Sequence, residues 1–116
     1  MDEFLDALRK ICLALPEVEE KQTSHHYRWV IRKRTIAYLV PVDGRDGETI
    51  VTVFRSQPPE LAALQNAGHP FFAWGTNWVG IVLDDETDWT EIAELIADSY
   101  CIAAPKKLAA QVYAER

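Results

Sequence analysis

No apolar run in this sequence approaches the ~20 residues that a membrane-crossing helix needs, so no spanning segment is expected. Its first residues, Met1-Asp2-Glu3, are acidic where an export signal would be basic. Cysteine occurs only twice, as Cys12 and Cys101, each inside an apolar helical pattern and without CxxC spacing. Both are read as free thiols of a reducing compartment, which makes the cytoplasm the expected location. Histidine is almost as scarce. His25 and His26 are adjacent, so in a strand they point to opposite faces, and with His69 far along the chain no metal site is expected. There is no GxSxG, no glycine-rich phosphate loop, no calcium-loop spacing among the acids, and no cysteine with an evident histidine partner. A chain without catalytic residues, metal or cofactor is the reading that follows. The absence of repeats, low-complexity tracts and linkers predicts one domain over residues 1–116.

What is present is a segregation of charge. The net charge is −6, which argues against generic attraction to nucleic acid or to anionic membranes. Residues 21–55, however, carry seven Lys or Arg against three acids, whereas residues 84–98 carry seven acids and no base. Two regions of opposite sign leave both a monomer and a homodimer open.

Periodicity supplies the elements. Phe4, Leu5, Leu8, Ile11, Cys12 and Leu15 recur at helical spacing over residues 2–15. The segment Glu17-Val18-Glu19-Glu20-Lys21 reads as a solvated connector into three strands between Thr23 and Arg55. In the first, Tyr27, Trp29 and Ile31 alternate with Arg28, Val30 and Arg32. The second, Thr35 to Val42, is apolar on both sides. Asp43-Gly44 and Asp46-Gly47 supply a turn, and Thr49 to Phe54 returns. Ser56 or Gln57 ahead of Pro58 marks the start of a short helix carrying Leu61 and Leu64, stopped by Gly68 and Pro70. Phe71 to Trp74 and Trp78 to Leu83 form a second hairpin, with Gly80 where a ring or backbone approaches closely. Asp88 and Glu91 resemble a capping box opening a helix with Trp89, Ile92, Leu95, Ile96 and Ser99 or Tyr100 on one face. A last helix starts at Pro105. The expected fold is therefore a two-layer α/β (α+β) arrangement with an antiparallel five-stranded sheet, in the order α-β-β-β-α-β-β-α-α.

Several local patterns coincide with one family. Thr23-Ser24-His25-His26-Tyr27, Val30 through Tyr38, the Trp78-Val79-Gly80 strand, Asp88-Trp89, and Asp98-Ser99-Tyr100 through Ala104-Pro105-Lys106-Lys107-Leu108 resemble the MmcQ/YjbR-like proteins. That resemblance implies a two-layer α/β fold with an antiparallel sheet. It also implies DNA binding through hairpins likened to a pair of wings. The chain departs from the pattern in its first hairpin turn, where Arg32-Lys33-Arg34 stand in place of a glycine.

Two sets of candidate site residues follow. Arg32, Lys33 and Arg34 at the tip of the first hairpin are candidate phosphate contacts on duplex DNA, supported by Arg28, Arg45 and Arg55 and extended by Lys106 and Lys107. A charge cluster that protects a sheet edge accounts for the same residues. Trp74 and Trp78, flanking the second turn, are candidate ligand-binding residues that could stack a base or hold a small apolar group, with hairpin packing as the simpler role. No candidate catalytic or metal-binding residue is put forward.

Overall fold

A computed structural model describes residues 2–44 and 47–114. Helix α1 (Asp2–Leu13) is followed by strands β1 (Glu19–Gln22), β2 (Tyr27–Ile31), β3 (Arg34–Gly44) and β4 (Gly47–Arg55). Then come helix α2 (Glu60–Gln65), strands β5 (Phe71–Gly75) and β6 (Trp78–Val82), and helices α3 (Trp89–Ala103) and α4 (Lys106–Ala114). All strand pairs are antiparallel, in the spatial order β1-β2-β3-β4-β6-β5.

The sheet has six strands where five were expected. The extra strand, β1, falls in the segment read as a solvated connector, because Glu-Glu-Lys-Gln has no apolar alternation to betray it. Backbone pairing with β2 and the side chain of Glu20 hold it in place: Glu20 accepts from Arg9 Nε and Nη2 at 2.9 Å each and from Trp29 Nε1 at 3.1 Å. A charged edge strand is also one that resists pairing with another chain.

All four helices contribute to one apolar cluster on one side of the sheet. Leu5, Leu8 and Cys12 of α1, Leu61 of α2, Ile92, Ile96 and Tyr100 of α3, and Leu108 and Val112 of α4 meet Trp29, Ile31, Ala37, Leu39, Phe54, Val79 and Ile81. Helix α3 packs centrally, against β3, β4, α1 and α4. It is opened by Asp88, whose carboxylate accepts from the backbone N–H of Thr90 and Glu91. The short α2 differs from expectation, since Pro59 caps it without a side-chain bond, and Ser56 is instead buried with its N–H on Asn77 O at 3.0 Å.

A bulge shapes the centre of the sheet. Trp29 pairs with Ala37 but Val30 pairs with Thr35, so Ile36 has no partner on β2. Its freed carbonyl accepts from Ser99 Oγ at 2.6 Å, and Ser99 Oγ in turn accepts from Arg55 N at 2.9 Å. One serine on α3 thereby pins β3 and β4 together where β4 ends.

Candidate functional site

The face opposite the helices is where the sequence and the structure put the unusual chemistry. Val30, Val51 and Val53 are almost fully buried there, yet none belongs to the helix-side core. Side chains of the sheet itself cover them. In register, Tyr38 lies opposite Val53 and Val53 opposite Gly80, which pairs with Phe72. A Cβ built on Gly80 would come within 2.4 Å of the Phe72 ring, so that ring lies directly across the glycine backbone. Here Gly80 is required by a close approach, as its place in an apolar strand suggests.

The rings then touch in sequence. His26 and Tyr38 have centroids 5.7 Å apart, Tyr38 and Trp78 5.6 Å, and Phe72 and Trp74 6.0 Å, all tilted. Between them lies a cleft of about 310 Å³ lined by His26, Tyr38, Val40, Trp74 and Trp78. Trp74 leaves 44% of its surface exposed, an unusual position for the largest side chain. The cleft is apolar apart from the edges of His26, Tyr38 and the indoles, and it holds no carboxylate. His26 is oriented by the turn before it: Thr23 Oγ1 stands 3.1 Å from its Nδ1 and accepts from the backbone N–H groups of His25 and His26.

Arg55 joins this aromatic array to the charge cluster. Its guanidinium carbon lies 4.6 Å from the centroid of Trp78, a cation–π stack, and its Nε donates to Thr35 O at 2.6 Å. Burial first, and the positive charge of Arg34 second, push this guanidinium below its ordinary pKa. Arg28, on the same face, donates from Nη1 to Thr35 Oγ1 at 3.2 Å. Both arginines thus converge on Thr35, the residue next to the bulged Ile36.

The basic tip is arranged differently from a row of three free cations. The connection from β2 to β3 has two residues, Arg32 and Lys33, both with positive φ (49° and 74°). This is the left-handed geometry of a tight hairpin turn, adopted without the glycine that usually relieves it. Arg32 is ion-paired with Glu17 at 2.9 Å, and Glu17 is itself left-handed at φ 61°. Arg34 opens β3 and donates from Nη1 to Ala103 O, an end carbonyl of α3, at 3.2 Å. Lys33 remains at the exposed apex. Lys106 and Lys107 are exposed in the first turn of α4, just beyond the α3 terminus that Arg34 reaches. Arg45 lies outside the described residues. Of the residues singled out from sequence, the structure therefore brings Trp74 and Trp78 into one cleft and sets Arg55 against it. Sequence reading missed Tyr38 and Val40 as cleft residues, because in a strand apolar on both sides nothing tells the covered face from the open one.

Among the described residues no group of three or more His, Cys, Asp or Glu is placed to hold a metal ion. No helix among them is long and apolar enough to cross a membrane.

Topology and cover together define a two-layer α+β protein with an antiparallel sheet that is helix-packed on one face only. The YjbR family model matches residues 13–102, a span that holds all six strands, α2 and most of α3. The chain belongs to the YjbR family. Among solved structures it resembles a protein from Pseudomonas syringae, with 17% identity and a TM-score of 0.69 over 88% of this chain and 97% of that one. It also resembles the Deinococcus radiodurans protein DR2400, which carries the family-model domain DUF419, with 22% identity and a TM-score of 0.65 over 84% of this chain and 76% of that one. Identities this low speak for a shared fold. No curated protein sequence matches the chain.

Proposed function

We propose that this YjbR-family protein is a non-catalytic binding module that takes a small ligand bearing a planar ring in the cleft on the uncovered sheet face. The observation that carries the reading is the cleft of about 310 Å³ walled by His26, Tyr38, Val40, Trp74 and Trp78. Its volume falls at the lower end of the range for small-molecule sites, and its lining is the aromatic, mostly apolar kind that such sites use. Cysteines that form no disulfide, Cys12 and Cys101, suit a reducing, cytoplasmic setting. A thermal-shift screen with ring-bearing small molecules, repeated on Trp74→Ala and Trp78→Ala, tests it. Stabilisation of the unmodified protein that both variants lose is the expected result; a set of hits insensitive to both substitutions would contradict it.

The second reading is contact with duplex DNA through the basic hairpin. Exposed Lys33 favours it, with Lys106 and Lys107 shortly after the Ala103 carbonyl that Arg34 reaches, while Arg32 is already engaged by Glu17 and Arg34 by Ala103 O. The check is binding to a random-sequence duplex across a salt series, with Arg32, Lys33 and Arg34 together changed to Glu as comparison. A log–log salt slope of about −3 to −5 that the triple variant abolishes would support the wing reading, as ~3–5 neutralised phosphates would give. No binding even at low salt would remove it.

A further inference from the structure

A notch of about 420 Å³ opens where β4 ends, lined by Arg34, Arg55, Ser56, Gln57 and Asn77 among others, none of them Asp or Glu. An adjoining hollow of about 270 Å³ shares Arg55, Ser56 and Gln57 and has Glu60 and Asp98 on its wall. Two guanidiniums thus face one small space. Arg34, though exposed, is tethered by Ala103 O, and half-buried Arg55 by Thr35 O. With Nε of Arg55 given to Thr35 O, its Nη groups are the donors left for an incoming acceptor. Burial first and the positive charge of Arg34 second disfavour the charged form of Arg55. Bringing a second positive charge up to a half-buried guanidinium is costly unless an anion joins them. Arg55 also stacks on Trp78, and Trp78 lines the aromatic cleft, so cleft and notch share a wall.

We propose that the notch is an oxyanion subsite and that the ligand of the cleft is a planar ring carrying a phosphate, of the nucleotide class. This rests on the reading of the cleft as a ring-binding site. Two arginines match the roughly −1.5 to −2 charge of a phosphate monoester better than the single charge of a carboxylate, and their planar forks suit its oxygens. Asn77, exposed in the β5–β6 turn, adds an amide at the mouth.

The test is calorimetric titration of the protein with adenosine, AMP, inorganic phosphate and a short single-stranded oligonucleotide. Two variants accompany it: Arg34→Gln, and Asn77→Asp, which sets a carboxylate at the notch while leaving the Arg34 tether intact. AMP is expected to bind about tenfold or more tightly than adenosine, the size of a charge-assisted hydrogen bond, and both variants are expected to erase that gain without weakening adenosine. Comparison of AMP with the oligonucleotide tells whether the phosphate belongs to a free nucleotide or to a strand. Equal affinities for adenosine and AMP would overturn the subsite and leave the ring cleft standing. So would an AMP advantage that survives in folded Asn77→Asp and Arg34→Gln proteins. Absence of binding by both adenosine and AMP would remove the cleft reading, and the nucleotide proposal with it.

Discussion

Trp29 and Trp89 lie on the helix side of the sheet, and Trp74 and Trp78 on the other. Trp29 is fully buried, its indole N–H satisfied by Glu20, and Trp89 packs against Phe4 with centroids 6.3 Å apart. Trp74 and Trp78 instead stand over a valine floor, with no helix to cover them. The helix side solves the burial problem with a second layer, whereas the open side solves it with its own rings. A roof made of side chains closes less completely than a roof made of helices, and the gap it leaves is the cleft. The same residue type therefore stabilises the fold on one face and builds a receptive surface on the other.

Substitutions can pull these two roles apart. The largest effect is expected for Trp29→Ala, which removes a fully buried indole and leaves Glu20 without that donor; a loss of about 3–5 kcal/mol in chemical denaturation is expected. Ser99→Ala comes next. It deprives both Ile36 O and Arg55 N of a buried partner, and should cost about 1–3 kcal/mol while loosening Arg55 on Trp78, visible as a change in the near-ultraviolet circular dichroism. Gly80→Ala drives a methyl group into the Phe72 ring. It should cost about 1–3 kcal/mol, and more tellingly should displace Trp74 through its contact with Phe72, weakening ligand response beyond what the stability loss explains.

A pH dependence distinguishes the covered side further. Hydrogen bonding and charge from Arg9 hold the Glu20 carboxyl below its ordinary pKa. A carboxylate with a lowered folded-state value contributes stability that is present above the usual carboxylate range and is lost as the pH falls through the lowered value. Solvent screening keeps the contribution at about 1 kcal/mol or less. Denaturation midpoints for Glu20→Gln should therefore lie below those of the unmodified protein at neutral pH and converge toward them in acid. Curves that stay parallel down to strongly acidic pH would mean that the Arg9–Glu20 pair does not anchor β1. The smallest stability effect belongs to Trp74→Ala, expected within about 0.5 kcal/mol because the residue is so exposed. Ligand binding, in contrast, should be lost in that variant.

Much of this arrangement was legible in the sequence wherever apolar periodicity was strong. The helical stripe of Leu5, Leu8 and Cys12 and the period-two alternation that puts Trp29 and Ile31 on one side both lead to the observed core. The hairpin of Trp74 and Trp78 is legible too, and so is the close approach at Gly80. Strand β1 was not, because its Glu-Glu-Lys-Gln has no apolar alternation and exposes most of its side chains. The bulge at Ile36 was equally silent: a register shift alters which carbonyl is free without changing residue type. For the same reason the partners of the basic tip could not be foreseen. Arg34 finds Ala103 and Arg32 finds Glu17 through contacts across 69 and 15 residues of chain. Charge was read correctly along the sequence, while its satisfaction is a property of the fold.

The division of the four tryptophans between the faces offers the most direct measurement. Their indole N–H groups give separate signals in a proton–nitrogen correlation spectrum, and titration with AMP asks which of them respond. The account predicts that the signals of Trp74 and Trp78 shift in a saturable manner while those of Trp29 and Trp89 hold still. Saturable shifts confined to Trp29 or Trp89, or no shift in any of the four, would contradict it.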